Sequence, residues 1–190
     1  MQTRGARTRR RVVSVIVAGL CACGAGTALA DTPTRLKPGA RPVERPLAGA
    51  GSHRYTITLK AGEYTTIRVR QAAIDVVALV EAPDGTRIGE VDTPRRTTGD
   101  EVVEIVATQS GPYTITVRAR EDDAPKARYA IGLDRPRKAL DADHRRVAAL
   151  RAFERAELLR REGTAESLAR ALAEYETARG QLVTGDQRAH

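Results

Sequence analysis

From Ser52 to Leu133 the chain is a succession of short runs with period two, each closed by a turn signal and with no helical pattern between them. That spacing admits few architectures. In His53-Arg54-Tyr55-Thr56-Ile57-Thr58-Leu59 the residues Tyr55, Ile57 and Leu59 share one face. Ala61-Gly62-Glu63 turns the chain, and Tyr64, Thr66 or Ile67, and Val69 open the next run. Ile74–Val80 is nearly all apolar, as a strand buried on both faces would be. Pro83-Asp84-Gly85 is a turn with a mechanism: proline fixes φ and glycine accepts the left-handed position. Arg87–Val91, Glu101–Ala107, Tyr113–Ala119 and Arg128–Leu133 supply further strands, separated at Thr97-Thr98-Gly99-Asp100, Ser110-Gly111-Pro112 and Asp122-Asp123-Ala124-Pro125. The expected fold is mainly β: an antiparallel β-sandwich of about seven to eight strands over residues 51–135.

Two segments flank this unit. Residues 31–50, with Pro33, Pro38, Gly39, Pro42, Pro46 and Gly49, read as a linker that ends in a short edge strand around Val43–Leu47. After Pro136 the period becomes helical. Asp141 is the expected cap of a first helix, with Asp143 in its first turn and Ala149, Ala152, Phe153, Ala156 and Leu159 as its apolar stripe. Gly163 ends it and Thr164 caps a second helix, where Leu168, Ala171, Leu172, Tyr175, Ala178 and Leu182 keep spacings of three and four. Residues 141–183 therefore read as a two-helix hairpin.

Residues 1–30 have the parts of a cleavable signal peptide in order: a basic stretch to Arg11, an apolar run from Val12 to Leu20, and small residues Ala28 and Ala30 at the cleavage site. The apolar run is shorter than the roughly 20 residues a membrane span needs. Thr8-Arg9-Arg10-Arg11-Val12-Val13 also resembles a twin-arginine signal, so both export routes stay open. The expected location is the periplasm or the outside of the cell. Both cysteines, Cys21 and Cys23, lie in this leader, so a chain cut after Ala30 has no disulfide, zinc-thiolate site or cysteine nucleophile. Leu20-Cys21-Ala22-Cys23 is a loose lipoprotein box, which makes Cys23 an alternative lipidation site. The leader also holds five arginines and no acid, so its removal lowers the net charge from +8 to +3. With no Trp, one Phe and interleaved acids, nucleic acid is not an expected partner.

Two stretches carry a family resemblance. Ile74-Asp75-Val76-Val77-Ala78-Leu79-Val80-Glu81-Ala82-Pro83-Asp84-Gly85, followed later by Gly111-Pro112-Tyr113-Thr114-Ile115, resembles bacterial pre-peptidase C-terminal-like sandwich domains. The hairpin is similar to one tetratricopeptide unit, with Ala171, Tyr175 and Ala178 at the matching small, aromatic and small positions and Leu158 in the first helix. Val183 stands where that repeat closes on proline. The order of leader, sandwich and helices resembles the front of exported tetratricopeptide proteins that carry a C-terminal CHAT domain. No Cys/His pair of that peptidase fold occurs here, so its activity does not carry over.

The residues themselves offer little chemistry. Ser52 and His53 are adjacent on a strand and point to opposite faces, while His144 and His190 stand far apart in the chain. Asp75, Asp84, Asp92, Asp100, Asp122 and Asp123 gather at strand ends and turns without the spacing of a calcium loop, as expected of local backbone bonding. Asp75 interrupts an apolar run and needs a partner if buried, with Arg68 or Arg118 as candidates. Tyr55, Tyr64, Tyr113 and Tyr129 fall at apolar positions and are expected in the core. No catalytic residue, metal ligand or cofactor is assigned. The leading expectation is a non-catalytic exported module that binds a protein or a cell-wall polymer through the sandwich. The alternatives are an envelope component or lipoprotein that self-associates through residues 141–183, and the front end of a longer tetratricopeptide/CHAT-type protein.

Overall fold

The computed structural model describes residues 32–91 and 98–186. In chain order these form β1 Thr34–Arg35, β2 Val43–Leu47, β3 Ser52–Leu59, β4 Glu63–Ala72, β5 Val76–Glu81 and β6 Arg87–Val91. There follow β7 Thr98–Val106, β8 Gly111–Ala119, β9 Ala127–Leu133, β10 Arg137–Lys138, α1 Asp141–Glu162 and α2 Ala165–Asp186. One sheet has the order β1-β3-β8-β5-β6. In the other, β7 takes one edge of β4, while β9 and the short β10 share its other edge and β2 lies beyond β9. The fold is the two-sheet sandwich that the alternation predicts, followed by a helical hairpin.

Period two explains the core. Across β3 and β8, Tyr55 pairs with Ile115 and Ile57 with Tyr113; across β4 and β9, Ile67 pairs with Leu133 and Val69 with Ile131. All eight side chains are buried in one cluster between the sheets. The segment 31–50 is more than a linker. It holds β1, paired in parallel with β3, and β2, paired with β9, and it sends Leu36 and Leu47 into the core. The edge strand expected around Val43–Leu47 is β2, where Pro46 is tolerated at the edge, whereas β1 is too short to show a period. The strand expected over 74–80 begins at Val76, since Ala73 takes φ +64° and breaks the extended backbone just before it.

The helices depart from expectation in what they bury. Leu140, not Asp141, holds the cap position, and the cap is supplied from inside the helix: Asp143 accepts the Leu140 N–H at 2.8 Å. Gly163 ends α1 at φ +71°, and Thr164 and Ser167 cap each other's N–H at the start of α2. The seam between α1 and α2 is built of alanine, with Ala149, Ala152, Ala156, Ala171 and Ala178 all buried. Phe153, Leu168, Leu172 and Leu182, expected in the apolar stripes, are instead largely exposed. Small residues let two helices approach closely, and the larger ones are then turned outward. Among the described residues, no helix is long and apolar enough to cross a membrane.

Candidate functional site

Three features set the surface of this molecule, and the first is a polar knot inside the core. Tyr55 and Tyr129 are fully buried, and a buried hydroxyl must find a partner. Their hydroxyls bond each other at 2.5 Å, and Tyr129 also shares a 2.8 Å bond with His53 Nδ1. Nearby on the same inward faces, Gln71 donates to the fully buried Glu101 at 2.8 Å and accepts the Val76 N–H at 3.1 Å. The knot holds His53 and leaves Ser52 exposed outside, as the strand geometry requires.

The second feature locks α1 to the sandwich. On β4 the residues Ile67 and Val69 face the core, whereas Tyr64 lies on the outer face with Val106 and Val147. It is thus packed beneath α1 rather than inside the sandwich, the one departure among the four strand tyrosines. Two guanidiniums flank its ring, Arg137 at 4.4 Å and Arg146 at 5.3 Å. Arg137 grips Asp143 with both terminal nitrogens at 2.6 and 2.9 Å. Arg146 donates to Glu104 at 2.5 Å, to Asp143 at 2.9 Å and to the Tyr64 hydroxyl at 2.9 Å. These cations hold the Asp143 carboxyl far below the usual carboxylate range.

The third feature follows from the second. Beyond Val147 the helix runs past the sandwich, and a groove of about 600 Å³ opens between them. Its walls are β6 and β7, which end their respective sheets, and the outward side of α1. The core residues Val80, Val103 and Ile105 reach its floor, with Ile88, Val91 and Val147 beside them. Leu150, Phe153 and Leu158, 41, 51 and 61% exposed, form the helical lip. Five arginines and four glutamates complete the lining. Three of the glutamates are engaged: Glu90 by Arg87 and Arg118, Glu104 by Arg146, and Glu157 by Arg160 and the Tyr175 hydroxyl. The fourth, Glu154, is pushed up to about 7 by burial, which outweighs the opposing pull of Arg151, Arg155 and Arg87.

The candidate buried pair is not formed. Asp75 lies in the bend before β5, half-buried, and its carboxylate meets Arg120 at 3.9 Å. Arg68 pairs with Asp134 at 3.6 Å on the surface, and Arg118 with Glu90 at 3.5 Å. Arg68 belongs to the other sheet, and Arg118 stands opposite Val77, where it reaches Glu90 and leaves Asp75 to Arg120. The carboxylate buried between the sheets is Glu101, in phase with Val103 and Ile105. The other acids serve local roles: Asp84 accepts the Thr86 N–H and the Gln109 amide, and Asp100 pairs with Arg70. Bonds from Gln109 and Thr86 hold the Asp84 carboxyl below its ordinary value. His144 is exposed on α1, and no group of three or more His, Cys, Asp or Glu among the described residues is placed to hold a metal. Cys21, Cys23, Ala28, Ala30, Asp92 and His190 lie outside the described residues.

No family model matches the chain, and no curated protein matches it. Among solved structures, the chain is similar to a periplasmic inhibitor of g-type lysozyme from Aeromonas hydrophila, with 21% identity and a TM-score of 0.44 over 57% of this chain and 100% of that one. It is also similar to the pre-peptidase C-terminal domain of a Bacillus anthracis collagenase, with 12% identity and a TM-score of 0.46 over 55% of this chain and 96% of that one. A carbohydrate-binding module of a Cellvibrio mixtus lichenase, solved with cellotriose, matches at 12% identity and a TM-score of 0.31 over 50% of this chain and 88% of that one.

Proposed function

We propose that this protein is an exported, non-catalytic module that binds a segment of another protein in the groove between α1 and strands β6 and β7. The observation that carries the reading is the groove itself: an apolar floor continuous with the core, a lip of half-exposed leucine and phenylalanine, and a charged rim. A concave, largely apolar surface with a few polar groups to set orientation is what a ligand site needs. Both bordering strands end their sheets, so an extended segment has main-chain hydrogen bonds on offer as well as pockets for its side chains.

A protein partner is favoured over a cell-wall polymer by the placement of the aromatics. Sugar rings are commonly held by flat aromatic faces; the groove carries Phe153, already packed edge-on against Tyr175, while Tyr55, Tyr113 and Tyr129 are fully buried and Tyr64 lies beneath α1. Export rests on the leader-like residues 1–30. The pre-peptidase C-terminal-like reading of the sandwich and the tetratricopeptide-like reading of the hairpin belong to this proposal as accessory binding modules.

Site-specific photo-crosslinking in the native host tests it. A photoreactive residue at Ile88 or Leu158 is expected to trap a protein partner, and one at Arg54, on the solvent side of β3, is expected to trap none. Equal labelling from all three positions, or none from the groove, removes the assignment.

A further inference from the structure

A second surface lies on α2 and shares Phe153 with the lip of the groove. Leu168, Leu172 and Leu182 on α2 are 45, 60 and 56% exposed. At 100° per residue they fall in one stripe with the half-buried Tyr175, beside the line of Ala171 and Ala178 that buries against α1. Phe153 of α1 meets Tyr175 edge-on at 5.6 Å between ring centres and carries the apolar surface across to the other helix. The hairpin is built in reverse of an isolated pair. Its internal seam is alanine, and its leucines stand outside. One hairpin has no means of burying such a face alone.

We propose that this stripe is the contact between two copies of this chain, hairpin against hairpin, about a two-fold axis near Tyr175. Spacing supports a second copy as the occupant. Leu168 and Leu182 stand seven residues either side of Tyr175, a heptad interval. A two-fold contact must be self-complementary. With two α2 helices antiparallel about Tyr175, each Leu168 comes level with Leu182 of the partner subunit, and no second patch is required. The available area sets the strength of the contact. From Leu168 to Leu182 the stripe runs ~22 Å along the helix. Two helices at ~8–10 Å separation present a face ~20 Å wide. Such a face covers ~450 Å² per copy, or ~900 Å² in all, the size of a weak contact that forms as concentration rises.

Sedimentation velocity on the purified full chain tests this from low micromolar concentration to on the order of 100 µM. A concentration-dependent dimer is expected. Leu172→Glu, at an exposed position that leaves the alanine seam intact, is expected to weaken it at least tenfold with an unchanged circular dichroism spectrum. The register has its own readout, in chains with Cys21→Ser and Cys23→Ser. A mixture of Leu168→Cys and Leu182→Cys chains is expected to give far more disulfide-linked dimer on mild oxidation than either alone. A monomer throughout the range overturns the proposal, whether or not the stripe then captures another protein. So does a dimer that ignores Leu172→Glu and forms no cross-link between positions 168 and 182.

Discussion

Asp143→Ala should loosen α1 from the sandwich, and the cost follows from four hydrogen bonds. Asp143 is 3% exposed and receives two bonds from Arg137, one from Arg146 and one from the Leu140 N–H. Loss of the bond that caps the helix costs about 1 kcal/mol. The arginine links need discounting, because Arg137 and Arg146 are 47 and 39% exposed and regain water when released; about 0.5–1 kcal/mol each is appropriate. The total is about 2–3 kcal/mol, which for a chain of this length lowers Tm by about 4–12 °C. A pH series adds a signature. The folded carboxyl titrates below its ordinary value, so its contribution is present above that value and disappears as the pH falls through the folded one. The Tm gap between parent and variant should therefore be full near neutrality and shrink below about pH 4. Scanning calorimetry measures the gap, and hydrogen exchange should place the loss of protection in residues 141–162 before the sheets. A variant within about 1 °C of the parent, or a gap indifferent to acid, refutes the account.

Tyr129→Phe removes one hydrogen bond from each of Tyr55 and His53 and should cost about 1–3 kcal/mol in urea unfolding. The double variant Tyr55→Phe/Tyr129→Phe should cost clearly less than the sum of the two, and strict additivity would deny the shared bond. Glu154 binds its proton more tightly folded than unfolded, so stability should fall as pH rises from about 4.5 to about 7. Glu154→Gln should flatten that slope in a series of urea midpoints, and an unaltered slope counts against burial of the group. Gly163→Ala meets no atom within 4 Å of its new Cβ, so its cost should be the backbone strain alone, about 1 kcal/mol. A much larger loss points to an unseen contact.

The sandwich was legible in the chain because alternation survives wherever one face of a strand is buried and the other wet. Tyr55, Ile57 and Leu59, and later Tyr113, Ile115 and Val117, are spaced two apart and all lie inside. The edge strand over Val43–Leu47 could be read from the sequence, whereas β1 is hidden by its length, since two residues carry no period. Buried polarity was sought at Asp75 because it breaks an apolar run, yet a bend set by Ala73 moves it out of the strand. Glu101 stands in plain phase with Val103 and Ile105, a sign of burial that its charge obscures because acids are rarely inside. The helices misled through residue size. Leucine outranks alanine in any apolar stripe, and the structure buries the alanines. The groove had no signature at all. It depends on where α1 docks, which is set by Arg137, Arg146, Glu104 and Asp143 meeting across three separate elements.

The nine-residue strand β7 has a bearing on how the chain avoids clumping. It pairs on one side with β4, and its other side faces the groove. A long bare sheet margin is a template for the next molecule's backbone, and proteins commonly shield it with a helix or with charge. Here α1 and the rim arginines stand across the groove from that margin, leaving room for a single segment but none for another sheet, so the hairpin is a guard as well as a contact surface. A chain shortened before Asp141 would keep its sandwich core and lose its guard. Such a fragment should scatter light on standing and stack strand to strand, where the intact chain stays dispersed. Point changes on α2 are for that reason a cleaner probe of pairing than deletion of the helices.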